Sequence, residues 1–130
     1  MENLTLTAKM SVPYDEAVAR AREAFANEGF GILTEIDITK VMKAKLDVDL
    51  PKQVILGACR PQLAYAALQA NPSVGALLPC NVVVREVEGG TLVEAVDPGQ
   101  LLGLAMRDAD LKEMAEDATA RVTRAVASLR

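Results

Sequence analysis

Two apolar stretches rich in β-branched residues, Cys80 to Val87 and Thr91 to Val96, are separated only by Glu88-Gly89-Gly90. Gly-Gly accepts the positive φ that tight hairpin turns need, so the stretches are expected to pair as antiparallel neighbours. This restricts the fold more than any other feature. Parallel strands need long crossovers, so a purely parallel, doubly wound sheet has no place for such a hairpin. The rest of the chain is built around a sheet that is at least partly antiparallel.

The pattern elsewhere alternates between the two periods. Leu4 to Met10 alternates as a half-buried strand does. Pro13 suits a helix start, and Val18, Ala21 and Phe25, with Ala17 and Ala24, form an apolar stripe that Gly29 terminates. Phe30 to Ile36 reads as a second strand. Asp37 then caps a short helix expected to turn Ile38, Val41, Met42 and Leu46 inward, with Lys40, Lys43 and Lys45 on its wet face. Gln53 to Ala58 is a third strand, followed by a helix from Pro61 to Ala70, which Asn71-Pro72-Ser73 closes. Asp97-Pro98-Gly99 reads as a turn, and Leu101 to Met106 as an apolar run that lines a pocket, a dimer seam or the core. A last helix starts near Asp108, with its stripe running through Leu111, Ala118, Val122 and Leu129.

A chain of 130 residues, 51% hydrophobic, is expected to be one domain, residues 1–130, with a real core. Two Phe, two Tyr and no Trp make that core aliphatic. The net charge of −4, with no two basic residues adjacent, argues against a nucleic-acid or anionic-membrane partner. No apolar run approaches the ~20 residues that span a bilayer. The first residues carry no basic or apolar leader pattern, so two thiols are expected in a reducing, cytoplasmic setting.

Four blocks stand out together: Gly29 to Asp37, Ile55 to Pro61, Leu77 to Val84, and Ala95 to Pro98. In this order the set resembles the domain-of-unknown-function 302 (DUF302) family over nearly the whole chain. The resemblance implies an α+β fold of two layers, β-α-β4-α, like that of the TATA-box-binding protein. The helices cover one face of the sheet, and further short helices are added. It also implies a homodimer. It implies no nucleic-acid function, because a fold name describes shape alone. Members have no established activity, and some look associated with sulfur or redox metabolism.

The chain contains no histidine. Ser-His-Asp and Cys-His catalysis, His-ligated metal or haem and an imidazole proton shuttle are therefore unavailable. Neither a haem nor a nucleotide is expected, the second because glycines are too sparse for a phosphate loop. Chemistry falls first to Cys59 and Cys80. Cys59 ends a strand before a helix and precedes Arg60; a helix N-terminus and a guanidinium both favour thiolate. Cys80 opens a strand, with the Asn81 amide beside it. On neighbouring strands the two sulfurs would be able to face one pocket and hold a soft metal ion, a sulfur species or a small thiol-reactive ligand. Both are equally readable as small buried hydrophobes. Glu35 and Asp37 form a carboxylate pair, more simply read as an Arg-paired surface residue and a helix cap.

Three functions follow. The first is a homodimeric ligand-binding or thiol-based module built on Cys59 and Cys80, supported by Arg60, Asn81 and Glu35. The second is a structural or interaction protein without site chemistry. The third, a thiol- or persulfide-transfer enzyme, ranks last because no usual general base is present.

Overall fold

The computed structural model describes residues 5–105 and 109–130, except the side chains of 102–105 and 109–111. Five strands, β1 (Thr5–Met10), β2 (Gly31–Asp37), β3 (Gln53–Cys59), β4 (Cys80–Val87) and β5 (Gly90–Val96), form one sheet. Their order is β1-β5-β4-β3-β2, and every neighbouring pair is antiparallel. The helices are α1 (Tyr14–Asn27), α2 (Ile38–Leu46), α3 (Pro61–Ala70), α4 (Pro98–Ala105) and α5 (Ala109–Ala127), with a 3-10 helix at Pro72–Leu77. The β-α-β4-α order is present once α2, α3, the 3-10 helix and α4 are taken as insertions. The expected hairpin forms with Val87 opposite Gly90 and Glu88-Gly89 as the loop. Gly89 and Gly90 have φ of 82° and 157°.

Strand alternation gives the sheet two unlike faces. Leu56, Val82, Val84 and Val93 lie on one face and are fully buried. They pack against Ala17, Ala21 and Phe25 of α1 and Val122 and Val126 of α5. Small alanines on α1 let the helix approach closely, and Phe25 fills the remaining volume edge-on to Phe30, ring centroids 5.8 Å apart. The other face carries Ile55, Val83, Val96 and Asn81 and is only partly covered. A smaller core of Leu63, Ala67, Val74 and Ala118 joins α3 and the 3-10 helix to α5.

Two local expectations are corrected. Asp37 does cap α2, its Oδ1 accepting from the Lys40 N–H at 3.0 Å, but no residue of α2 is buried and Leu46 is 66% exposed. Ile38, Val41 and Met42 are half-buried and the lysines are exposed, as expected, so the stripe is covered in part and fails at Leu46. Asp97-Pro98-Gly99 opens α4 rather than making an isolated turn. The Asp97 Oδ1 accepts from the Gly99 N–H at 2.9 Å and the Thr119 hydroxyl at 2.7 Å, tying α4 to α5. Asp before Pro is a cap-and-first-turn pair as readily as a turn. Asn71 ends α3 as its C-cap, as expected, and also starts the 3-10 helix, its side chain accepting from the Ser73 N–H at 3.0 Å. Leu4, Met106 and Asp108 lie outside the described residues, as do the side chains of Leu102, Leu104 and Leu111.

Candidate functional site

The sequence candidates gather at one end of β3 and β4. These strands are neighbours, and Ala58 stands directly opposite Cys80. Residues opposed in a ladder share a face, and successive residues alternate. Cys80 therefore lies with Ala58 on the buried face, whereas Cys59 projects to the other. Cys80 is 7% exposed, and Cys59 is half-buried. Both are free thiols. The register sets the sulfurs on opposite sides of the sheet and not at one ligand position.

Burial pushes the Cys80 thiol up to about 11, and a charge on nearby Cys59 pushes in the same direction. Burial also raises Cys59. The expectation that Arg60 and the α3 N-terminus hold Cys59 as a thiolate is corrected. The Arg60 guanidinium reaches toward α5, 3.7 Å from the Asp117 carboxylate, which it shares with Arg121 at 2.8 Å. Glu35 is on the exposed edge strand, paired with Arg22 at 2.6 Å. It is remote in role from the thiols, as the Arg-paired reading expected.

A raised thiol pKa ties stability to pH. An unperturbed thiol titrates near 9.0 and folded Cys80 near 11, so the folded state holds this proton more tightly. The stabilisation is complete below pH 9 and is lost as pH rises toward 11. Between pH 8 and 10.5 it should fall by about 2 kcal/mol. Urea titrations at both pH values are expected to show a loss smaller by that amount in Cys80→Ala. Equal losses in the two proteins would refute the assignment.

Asn81 lies opposite Gly57, on the partly covered face. A Cβ on Gly57 would run into the Thr34 hydroxyl and come within 2.7 Å of the Pro79 ring, so Thr34 and Pro79 pack directly over this bare backbone. Beside them opens a cleft of about 330 Å³, walled by Leu77, Leu78, Pro79, Val96 and Leu101, with Asn81 as its amide-bearing side chain. The cleft brings together the 3-10 helix, the start of β4, the end of β5 and α4. Cys59 is on the same face, one strand away. Asn81 is a sequence candidate and Leu101 part of a run expected to line a pocket, a dimer seam or the core, whereas Thr34, Val96 and Leu77–Pro79 stand only within the family blocks, with no site role. Gly57 inside a strand was the available signal, since a strand glycine often marks a close approach. Among the described residues, no group of three or more Cys, Asp or Glu side chains is placed to hold a metal ion.

Fold and cleft define a small α+β module, with one antiparallel sheet, a helix-covered face and a partly open face. The chain belongs to the DUF302 family, a domain of unknown function whose model matches residues 5–129. It is similar to the crystal structure of an uncharacterized conserved protein DUF302 from Bacillus stearothermophilus, at 33% identity over 98% of each chain and a TM-score of 0.86. No protein of curated function matches this chain. No helix among the described residues is long and apolar enough to cross a membrane.

Proposed function

We propose that this chain is a homodimeric ligand-binding module that holds a small, mainly aliphatic molecule in the cleft beside Pro79 and Asn81. The cleft itself carries the reading: most of its wall residues are aliphatic, and a single carboxamide, Asn81, is available to orient a neutral polar group. Its volume suits a ligand of only a few heavy atoms. The thiols act as packing in this reading, since Cys80 is sealed in the core and neither thiol is activated. That leaves thiol or persulfide transfer with the least support. Two free thiols fit a reducing, cytoplasmic setting.

The dimer is supported by where apolar surface is left uncovered. Seven large apolar side chains among the described residues are exposed, and five of them, Leu33, Ile36, Leu46, Val48 and Leu50, come from β2, α2 and the connector after it. A segment this apolar is a natural seam for a second copy. Native mass spectrometry should show a dimer that Leu46→Glu with Val48→Glu disrupts.

For the cleft, ligand-observed NMR with a series of short aliphatic amides tests the proposal. Saturable binding is expected to weaken about tenfold in Asn81→Leu and to survive Cys59→Ala unchanged. Absence of saturable binding by any member would overturn it. Loss on Cys59→Ala alone would return the site to thiol chemistry.

A further inference from the structure

A second cleft, of about 280 Å³, opens where the start of α1 meets the β2–α2 junction and the approach to β3. It is lined by Tyr14, Asp15, Asp37, Thr39, Lys40 and Lys52. It shares no residue with the cleft at Pro79 and Asn81 and uses neither thiol.

Its charges are the unusual feature. Two acidic and two basic residues border one small, mainly apolar concavity, yet no ion pair within 4.0 Å joins any of the four among the described residues. Elsewhere nearby charges do pair: Lys43 reaches both Asp47 and Asp49, and Arg22 reaches Glu35. Two of the four groups have other partners. Asp37 is committed through Oδ1 to the α2 cap. Lys52 lies over the Tyr14 ring, its Nζ 5.8 Å from the centroid, where the face of the ring attracts a cation. Thr39 is saturated, donating to the Pro51 carbonyl and accepting from the Gln53 N–H, and it fixes the connector that carries Lys52.

A purely anionic ligand would meet Asp15 and Asp37, and a purely cationic one would meet Lys40 and Lys52. Either would place like charges side by side at the mouth of the cleft. A ligand bearing one charge of each sign meets a complement at both ends. We propose that this cleft binds a small zwitterion of the free α-amino-acid class, its ammonium toward Asp15 and Asp37 and its carboxylate toward Lys40 and Lys52. The Tyr14 ring is then the apolar wall for a short side chain. The phenol lies in the negative field of Asp37, Asp15, Glu35 and Glu86, which with burial raises its pKa. It is therefore a neutral hydrogen-bonding group at physiological pH.

The test is an amide-resolved NMR titration of the full chain with glycine and alanine, with acetate and methylammonium as single-charge probes at matched ionic strength. Asp37→Asn keeps a capping side chain while removing its charge, and Lys52→Met keeps an apolar stem over Tyr14. Saturable shifts around Tyr14 and Asp37 are expected for the two amino acids. Affinity should be about tenfold weaker for each single-charge probe and in each variant, the loss of one charge-assisted contact. A single-charge probe that binds as tightly as glycine would overturn the proposal. So would affinities unchanged in both variants, or shifts that never saturate.

Discussion

Gly90→Ala is expected to destabilise the protein by about 3 kcal/mol, combining backbone strain with displacement of a neighbouring strand. Gly90 has φ of 157°, at the margin of what an L side chain adopts. The space is a further obstacle. A Cβ there would press on the carbonyl oxygen of Met10, with the carbonyl carbon at 3.1 Å and the Ser11 Cα at 3.3 Å. These are backbone atoms, so no rotamer change relieves the contact. Met10 is the last residue of β1 and pairs with Thr91, the residue after Gly90. The buried Thr91 hydroxyl adds a bond to the Val12 carbonyl at 3.0 Å. Relief would have to come from moving the end of β1 away from β5. For a chain of this size the cost corresponds to a fall in Tm of roughly 10–15 °C, readable by calorimetry. A fall under about 3 °C would show that the β1–β5 contact yields without cost.

Phe25→Ala is expected to cost about 3–5 kcal/mol, the range for truncating a fully buried aromatic side chain. Phe25 is 1% exposed, and the chain has just one other phenylalanine and no tryptophan. Its neighbours on α1, Ala17, Ala21 and Ala24, are too small to close the space it would leave. Its edge-on contact with Phe30 would also be lost. That contact holds the end of α1 against the entry to β2, where the Phe30 N–H bonds the Phe25 carbonyl at 3.0 Å. Phe25→Leu keeps most of the volume and is expected to recover well over half of the loss. Urea denaturation of both variants checks the pair. Equal losses would show that ring geometry, and not filled volume, carries the stability.

Much of this architecture is legible in local pattern. The Glu88-Gly89 loop, α3 from Pro61 to Ala70, the Gly29 stop and the Asp37 cap follow from turn chemistry and capping, which depend on residues close in sequence. The family blocks fixed the β-α-β4-α order for the same reason, because each block is a local motif. Local pattern is weaker at α2 and α4. The apolar stripe of α2 predicts burial, and Ile38, Val41 and Met42 are half-buried, but how far burial reaches depends on the partner surface, and Leu46 stays exposed. At Asp97-Pro98-Gly99 a turn and a helix start share their residues, and the Thr119 hydroxyl from α5 completes the cap from afar.

For the candidate sites the division is sharper. Sequence alone determined which chemistry was absent, since no arrangement of a chain without histidine creates an imidazole, and it named the cysteines as the remaining nucleophiles. Only the tertiary structure decided where those thiols point. A strand's side chains alternate with a period of two, so pairing Ala58 with Cys80 instead of Cys59 with Cys80 places the sulfurs on opposite faces. That one-residue difference is invisible in either strand's own sequence. It is set by the core, which must bury Leu56, Ala58, Val82 and Val84 on one side. The same register brings Asn81 opposite Gly57, beside a cleft formed where the entry to β4 meets the exit from β5.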